Sequence, residues 1–200
     1  MPIPMSRLLA VIAALTTASG VVAAPALDPA AAPAGHYVLD PRHASLIVRV
    51  RHMGLSHYTM RFDRFDASYD YEPAHPEASK ITVTVDANSL DTGDAAASKQ
   101  FAREFLGDKL NPTITFVSTN IQATDADHGD MTGDLTLRGV TKPVTLDVTY
   151  DGTDASLIGG RRMGFSATGV IKRSDFGSDA WQGAVGDNVQ LVIEVEFARK

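Results

Sequence analysis

The most informative absence from this sequence is cysteine, which occurs nowhere among the 200 residues. Disulfide bonds, thiol nucleophiles and thiolate metal sites are therefore excluded, and a folded domain must obtain its stability from side-chain packing. Aromatic residues are also few, at 7% of the chain, and Trp181 is the single tryptophan.

Basic residues are scarce relative to acidic ones. The chain has 18 Lys and Arg residues against 24 Asp and Glu residues, which gives a formal net charge of −6. Without residues 1–23, the remaining chain has 17 basic and 24 acidic residues and a net charge of −7. This excess of acidic residues argues against nucleic-acid binding and against adhesion to anionic membrane surfaces.

Long hydrophobic runs are absent as well. The apolar stretch from Leu8 to Ala18 is shorter than the roughly 20 residues that a transmembrane helix requires, so no stable membrane insertion is expected. A basic residue precedes the stretch and small residues follow it, which predicts a secretory signal peptide over residues 1–23 and a periplasmic location. The alternative is a buried N-terminal helix, which Pro2 and Pro4 disfavour.

The rest of the chain divides by composition into two parts. Residues 24–35 are rich in Pro and Ala and are interpreted as a flexible leader. Residues 36–200 have a length that suits a single domain with a sizeable core.

Apolar and polar residues alternate over most of this domain, as expected for β-strands that bury one face. Ile81, Val83 and Val85, for example, alternate with Thr82 and Thr84. The pattern predicts about eight antiparallel strands and an all-β fold, and it fits a closed barrel and a sandwich equally well.

One segment departs from the strand pattern. Apolar residues between Ala95 and Gly107 follow helical spacing, with Asp94 as a plausible N-cap and Gly107 as a stop. We therefore predict a short helix that crosses one end of the sheet.

The sequence offers little catalytic or metal-binding chemistry. No two of the six histidines are spaced i, i+2, as a two-His metal site on a strand requires. Asp175-Phe176-Gly177 is similar to a kinase metal motif and Asp91-Thr92-Gly93 to an aspartic-protease triplet, but the accompanying elements are missing. Both are interpreted as turns. We predict no catalytic residues, no metal ligands and no enzymatic activity.

Five blocks of sequence, in order, carry a family resemblance: Tyr37–His43, Ser89–Gly93, Asn111–Ser118, Gly133–Val144 and Gly164–Gly177. Together they resemble the YceI-like family of polyisoprenoid-binding barrels, from about Gly35 to Phe197. The resemblance implies a single antiparallel, eight-stranded, lipocalin-like β-barrel with a short helix near one end. It therefore favours the barrel over the sandwich.

The resemblance also implies a function. The protein would be a periplasmic binding or carrier protein that holds a polyisoprenoid or similar long-chain, quinone-like lipid in an apolar barrel cavity. Its partner would be an isoprenoid or fatty-chain lipid, polyprenyl or ubiquinone-like, with no covalent cofactor and no nucleic acid. The side chains expected to face this ligand are Leu46, Val48, Val50, His52, Ile81, Val83, Val85, Ile114, Phe116, Leu135, Leu137, Phe165 and Ile171.

Alternatives remain open at this stage. One is an enzyme or stress-response factor that acts on a lipid or quinone head group at the barrel mouth, with His52 or Arg173 as its candidate residues. Another is a structural domain whose interior is filled with side chains. A homodimer is open too, and the loop around Trp181 either covers the mouth or simply packs against it.

The signal-peptide interpretation predicts where the mature protein begins. Cleavage is expected after Ala23 or, as the second choice, after Ala26, because cleavage after Ala24 would place Pro25 first in the mature chain. The mature protein should then begin at Ala24 or Leu27. The intact mass of protein purified from the periplasm tests this, and a mass that includes residues 1–20 would contradict it.

Overall fold

The computed structural model describes residues 24–156 and 160–200, so the predicted signal peptide over residues 1–23 lies outside the described residues. The chain forms one short helix, α1 (Ala95–Phe101), which continues as a π-helical turn (Ala102–Leu106). Four single-turn 3-10 helices lie in the connections (Pro29–Ala31, Pro76–Ala78, Ala87–Ser89 and Arg173–Phe176). The strands are β1 (Gly35–His52), β2 (Ser56–Phe62), β3 (Phe65–Tyr71), β4 (Lys80–Asp86), β5 (Leu90–Asp91), β6 (Thr113–Ala123), β7 (His128–Leu137), β8 (Val140–Ser156), β9 (Gly160–Lys172) and β10 (Val185–Arg199).

The strands close into a barrel in the order β10-β9-β8-β7-β6-β4-β3-β1, and β1 pairs again with β10. On its other side β1 pairs first with β3 and then with β2, so these two short strands act as one bent stave. The bend falls at Asp63–Arg64, between the end of β2 and the start of β3. With β2 and β3 counted as one stave, the barrel has eight, all antiparallel. The predicted eight-stranded, all-β barrel is confirmed.

The predicted helix is also confirmed, with both of its ends. The Asp94 side chain accepts a hydrogen bond of 2.7 Å from the backbone N–H of Ala97, as an N-cap does. Gly107 ends the π-helical turn with a φ of 65°, a left-handed conformation that glycine adopts without a steric penalty. None of the described helices has the length and apolar character that a membrane crossing requires.

The two ends of the barrel differ. We call the end that carries the β1–β2 turn, α1, the β7–β8 turn and the loop before β10 the helix end. The opposite end contains a cluster of buried tyrosines, and we call it the tyrosine end. Its members are Tyr37, Tyr69, Tyr71 and Tyr150, none more than 6% exposed.

The Pro/Ala segment packs across the tyrosine end. Ala26 and Thr153 exchange two backbone hydrogen bonds of 2.9 Å, and the Tyr71 hydroxyl donates to the Pro29 carbonyl at 2.7 Å. Ala32 is 1% exposed and belongs to the core. Burial raises the pKa of Tyr71 to about 12, so its hydroxyl stays protonated to a higher pH than that of a free tyrosine. The interpretation of residues 24–35 as a flexible leader did not anticipate these contacts.

A buried carboxylate secures the first strand near this end. Asp40, at the bulge in β1, accepts a 2.6 Å hydrogen bond from Arg162 in β9 and a 3.0 Å contact from His43. The Arg162 guanidinium, followed by His43, holds the pKa of Asp40 well below its usual range. This ion pair links β1 to β9, which is two staves away because β10 lies between them.

Gly133 is the position in β7 where the backbone approaches an inward-facing ring most closely. A Cβ there would overlap the Phe116 ring and lie 2.6 Å from the Val117 carbonyl oxygen. We therefore expect Gly133→Ala to lower the free energy of unfolding by about 1–3 kcal/mol, the usual cost of overpacking.

Gly164→Ala in β9 is the matched control, because its Cβ would meet nothing closer than Asp151 Cβ at 3.5 Å. Urea denaturation of both variants provides the measurement. Equal stabilities would show that the Phe116 ring moves aside at no cost.

Candidate functional site

A cavity of about 430 Å³ runs along the inside of the barrel. Inward-facing side chains of all eight staves line it, and aliphatic and aromatic groups make up nearly the whole wall. Volumes of roughly 300–1,000 Å³ are typical of ligand-binding cavities in proteins. The interior is therefore not filled by its own side chains.

Every residue predicted from the sequence to face a ligand lies in the wall of this cavity. The structure brings together on one inner surface Leu46, Val48, Val50, His52, Ile81, Val83, Val85, Ile114, Phe116, Leu135, Leu137, Phe165 and Ile171. The alternation of strand side chains explains this placement, because residues two apart share a face. Contact of these residues with a ligand stays a prediction.

The wall includes further residues that the sequence patterns did not single out. β2 contributes Tyr58, Met60 and Phe62, which alternate with the polar residues Thr59 and Arg61. β8 and β10 contribute Val144, Leu146, Val148, Leu191, Ile193 and Val195. Apolar and polar residues alternate in β8 and β10 as clearly as in β4, so this period-two pattern could have identified their wall residues from the sequence.

At the helix end, an aromatic group closes over the cavity. The Trp181 ring packs edge-on against Phe101 at 5.6 Å and against Phe105 at 5.7 Å between centroids, and the Tyr58 ring also meets Phe101 edge-on at 5.6 Å. Trp181 lines the cavity and is 45% exposed, so one ring touches both the interior and solvent. The structure thus places the Trp181 loop over the mouth of the cavity.

Arg173 is the buried cation beneath this aromatic group. Its guanidinium donates three hydrogen bonds to backbone carbonyls: to Ser178 at 2.7 Å, to Gly186 at 2.9 Å and to Val185 at 3.1 Å. It also lies 5.6 Å from the Phe105 ring centroid, within cation–π range. Arg173 therefore fixes the loop that carries Trp181. His52 lines the cavity nearby, and the described structure gives its side chain no hydrogen bond.

At the tyrosine end, polar groups line the cavity. His128 Nδ1 lies 2.8 Å from an Asp127 carboxylate oxygen and 3.0 Å from one of Asp125. Asp125 raises the pKa of His128, and His128 in turn lowers the pKa of Asp125. Metal-ligating atoms of these three residues lie within 4.8 Å of one another. The spacing rule for histidine pairs does not detect a group made of one histidine and two carboxylates. The mutual hydrogen bonds of an exposed hairpin account for the arrangement.

The two triplets that are similar to catalytic motifs are turns, as interpreted. The Asp91 carboxylate accepts a 2.9 Å hydrogen bond from the Gly93 N–H, and Gly93 has a φ of 82°. Phe176 is 2% exposed, and Gly177 follows it with a φ of 69°. The Asp91 carboxylate also lies 3.5 Å from Arg61 Nε, which contacts Asp63 at 2.7 Å, so this carboxylate is paired with a cation.

Relatives of known sequence match most of the chain. Residues 37–197 match the YceI-like domain. A UPF0312 protein of Pseudomonas aeruginosa is 38% identical over 170 residues, which cover 84% of this chain and 88% of that protein. The Protein YceI of Salmonella arizonae is 39% identical over 166 residues, 82% of this chain and 86% of its own.

Solved structures share the fold. The Campylobacter jejuni YCEI protein superimposes with a TM-score of 0.67 at 31% identity, over 75% of this chain and 89% of its own. Burkholderia cenocepacia BcnA gives 0.70 at 25% identity, over 79% and 98%. A polyisoprenoid binding domain from Saccharophagus degradans gives 0.64 at 16% identity, over 84% and 100%, and so shows likeness of fold alone. The barrel, its apolar cavity and these matches together place the chain in the YceI-like family.

Proposed function

We propose that the protein is a periplasmic carrier that binds a long-chain isoprenoid lipid, polyprenyl or quinone-like, in the barrel cavity, without catalysing a reaction. The observation that carries the proposal is the continuous apolar wall of a cavity of about 430 Å³. The solved domain from Saccharophagus degradans, described as polyisoprenoid binding, has the same fold and supports the same class of ligand.

The energetics of burial require a long chain. Each buried CH₂ group contributes about 0.8 kcal/mol, so a chain of about ten carbons gains about 8 kcal/mol. Association itself costs an estimated 4–15 kcal/mol, which a short chain only offsets. A chain of about twenty carbons gains about 16 kcal/mol, so net binding favours isoprenoids over short fatty acids.

The distribution of polar groups supports a position for the ligand's head group at an end of the cavity. Val83, Phe116 and Leu135 surround the middle of the barrel, where a polar head group would lose its hydrogen bonds to water. Polar side chains border the cavity at its two ends, with His52 and Arg173 at one and Asp125 to His128 at the other. Export by the predicted signal peptide would put such a carrier in the periplasm.

Mass spectrometry of solvent extracts tests the proposal directly. Protein purified from the periplasm should release a long-chain isoprenoid lipid, and the mass of its head group distinguishes a polyprenyl compound from a quinone. A second periplasmic protein, purified and extracted identically, is the control for carried-over membrane lipid. An extract no richer than that control would contradict the proposal.

A pair of neighbouring substitutions in β4 tests the role of the wall. Val83 lines the cavity, whereas Thr84 is exposed on the outer face of the same strand. Val83→Lys would leave an unpaired ammonium in an apolar interior, and we expect it to lose the lipid and about 3 kcal/mol of stability or more. Thr84→Lys should change stability by less than about 0.5 kcal/mol.

Native mass spectrometry and thermal melts of the two variants provide the readout. Equal lipid retention and equal melting temperatures would mean that the inner face of β4 does not hold the ligand.

A further inference from the structure

The tyrosine end of the cavity is covered by the segment 24–34, which we call the strap. Its Pro29 forms part of the cavity wall, and the Tyr71 hydroxyl donates to the Pro29 carbonyl at 2.7 Å. The strap joins β8 through Ala26 and Thr153, which exchange two backbone hydrogen bonds of 2.9 Å. Most other residues of the strap are exposed. The strap therefore separates solvent from the place where a lipid would lie.

Hydrogen bonds, rather than apolar burial, hold the strap in place. Besides Tyr71, three barrel side chains donate to strap carbonyls: Tyr37 to Pro33 at 2.8 Å, Arg199 to Ala34 at 2.8 Å and Arg161 to Ala31 at 3.5 Å. Ala32 is the only strap residue that is buried, and Leu27 is 60% exposed. Water can replace these hydrogen bonds when they break, so the strap separates from the barrel at a lower cost than any strand.

The closed strap leaves one buried hydroxyl unsatisfied. Tyr150, on the strand that pairs with the strap, is 6% exposed, and its hydroxyl has no hydrogen-bond partner in the described part of the chain. The Thr153 hydroxyl approaches it but donates to the Arg162 carbonyl at 2.6 Å. A buried donor without a partner destabilises the closed state, and water satisfies this hydroxyl once the strap lifts. The penalty brings the closed and open states closer in free energy.

The strap is built to move as one piece. Gly35, where the strap joins β1, has a φ of 148°, a conformation that favours glycine and suits a hinge. The Asp28 carboxylate accepts from the Ala30 N–H at 2.9 Å and caps the turn Pro29–Ala31. The prolines of the strap restrict its conformations when it is free, which lowers the entropy cost of closing.

The helix end is held more firmly in the described structure. Trp181 packs edge-on against Phe101 and Phe105 over the cavity. Arg173, which is 6% exposed, fixes this loop through three hydrogen bonds to backbone carbonyls. Between the ends, backbone ladders join the staves, except along Ser56–Met60 of β2. Opening the helix end would break an aromatic cluster and a buried hydrogen-bond network, whereas opening the strap breaks contacts that water replaces.

We propose that the strap is the gate of the cavity: it lifts about Gly35 to admit a lipid at the tyrosine end and then closes over it. The inference rests on the proposed carrier function and adds the route by which the ligand enters and leaves. Because Pro29 belongs to the cavity wall, a bound apolar chain packs against it and favours the closed strap. The loaded protein therefore retains its lipid in water, and the empty protein opens more often.

A reversible disulfide tests the gate, because the chain has no native cysteine. Ala26 and Thr153 form a hydrogen-bonded antiparallel pair, whose Cα atoms lie about 5.5 Å apart, a separation that suits a disulfide. Ala26→Cys/Thr153→Cys is loaded with tritiated geranylgeraniol, an isoprenoid alcohol, then oxidised and mixed with phosphatidylcholine vesicles. Oxidation should slow transfer of the probe to the vesicles by about tenfold or more, because the lock removes the open state. Reduction with dithiothreitol should restore the rate.

Thr132→Cys/Thr145→Cys is the matched control. These two residues face each other on β7 and β8 outside the cavity wall, with hydroxyl oxygens 2.8 Å apart. Their oxidation should leave the transfer rate unchanged.

Tyr37→Phe tests the gate in the opposite direction. Tyr37 lies outside the cavity wall, and the variant removes the hydrogen bond to Pro33. Transfer should become about twofold to tenfold faster, as expected for the loss of one hydrogen bond. An unchanged rate in Tyr37→Phe, no slowing in the oxidised strap pair, or an equal slowing in the control pair would overturn the gate. Faster transfer in Trp181→Ala, with no effect of the strap disulfide, would assign the route to the helix end instead.

The gate and the carrier function fail separately. Protein that takes up no geranylgeraniol would contradict the carrier function, whereas protein that releases it equally with the strap locked or free would overturn the gate alone. Hydrogen exchange measures strap opening without any lipid. The amides of Ala26 and Thr153 should exchange about a hundredfold faster or more than those of the β8–β9 ladder. Equal protection of the two sets would show that the strap does not open, and would overturn the gate.

Discussion

The pairing of β1 with β10 is the interaction on which the rest of the structure depends. It runs from Tyr37 opposite Arg199 to His52 opposite Val185, and it turns an open sheet into a closed barrel. Closure gives the staves hydrogen-bonded neighbours on both sides, except along Ser56–Met60 of β2, which pairs with β1 alone. Little edge is therefore left to pair with another chain. It also shields an apolar inner surface that an open sheet would expose to water. An apolar cavity is stable here because no stave can move inward without breaking two ladders.

Much of the fold and the cavity wall could be predicted from sequence, because strand geometry is simple. Side chains two residues apart point the same way, so the apolar set of β4, Ile81, Val83 and Val85, had to share the buried face. Periodicity could not distinguish a barrel from a sandwich, since both bury one face of each strand. The order of the family-like blocks made that distinction. A filled core and a hollow one have the same alternation, so the cavity itself became visible only in the structure.

Long-range contacts account for most of what the sequence did not reveal. Pro and Ala in residues 24–35 indicated a flexible leader, yet Ala26 pairs with Thr153 and Pro29 accepts from Tyr71. Arg173 was an open candidate for acting on a lipid or quinone head group, but its guanidinium donates hydrogen bonds to the backbone carbonyls of Ser178, Val185 and Gly186. Backbone carbonyls occur at every residue, so no sequence pattern identifies them as partners.

The pairing of the first long strand with the last has a consequence for the order of folding. The ladder between β1 and β10 forms only when the last strand is available, so the barrel cannot close on a growing chain. Contacts between residues so distant in sequence are slow to form, because the loop between them must first lose its conformational freedom. The ladder that closes the folded barrel is therefore absent from the nascent chain until its last strand has been made.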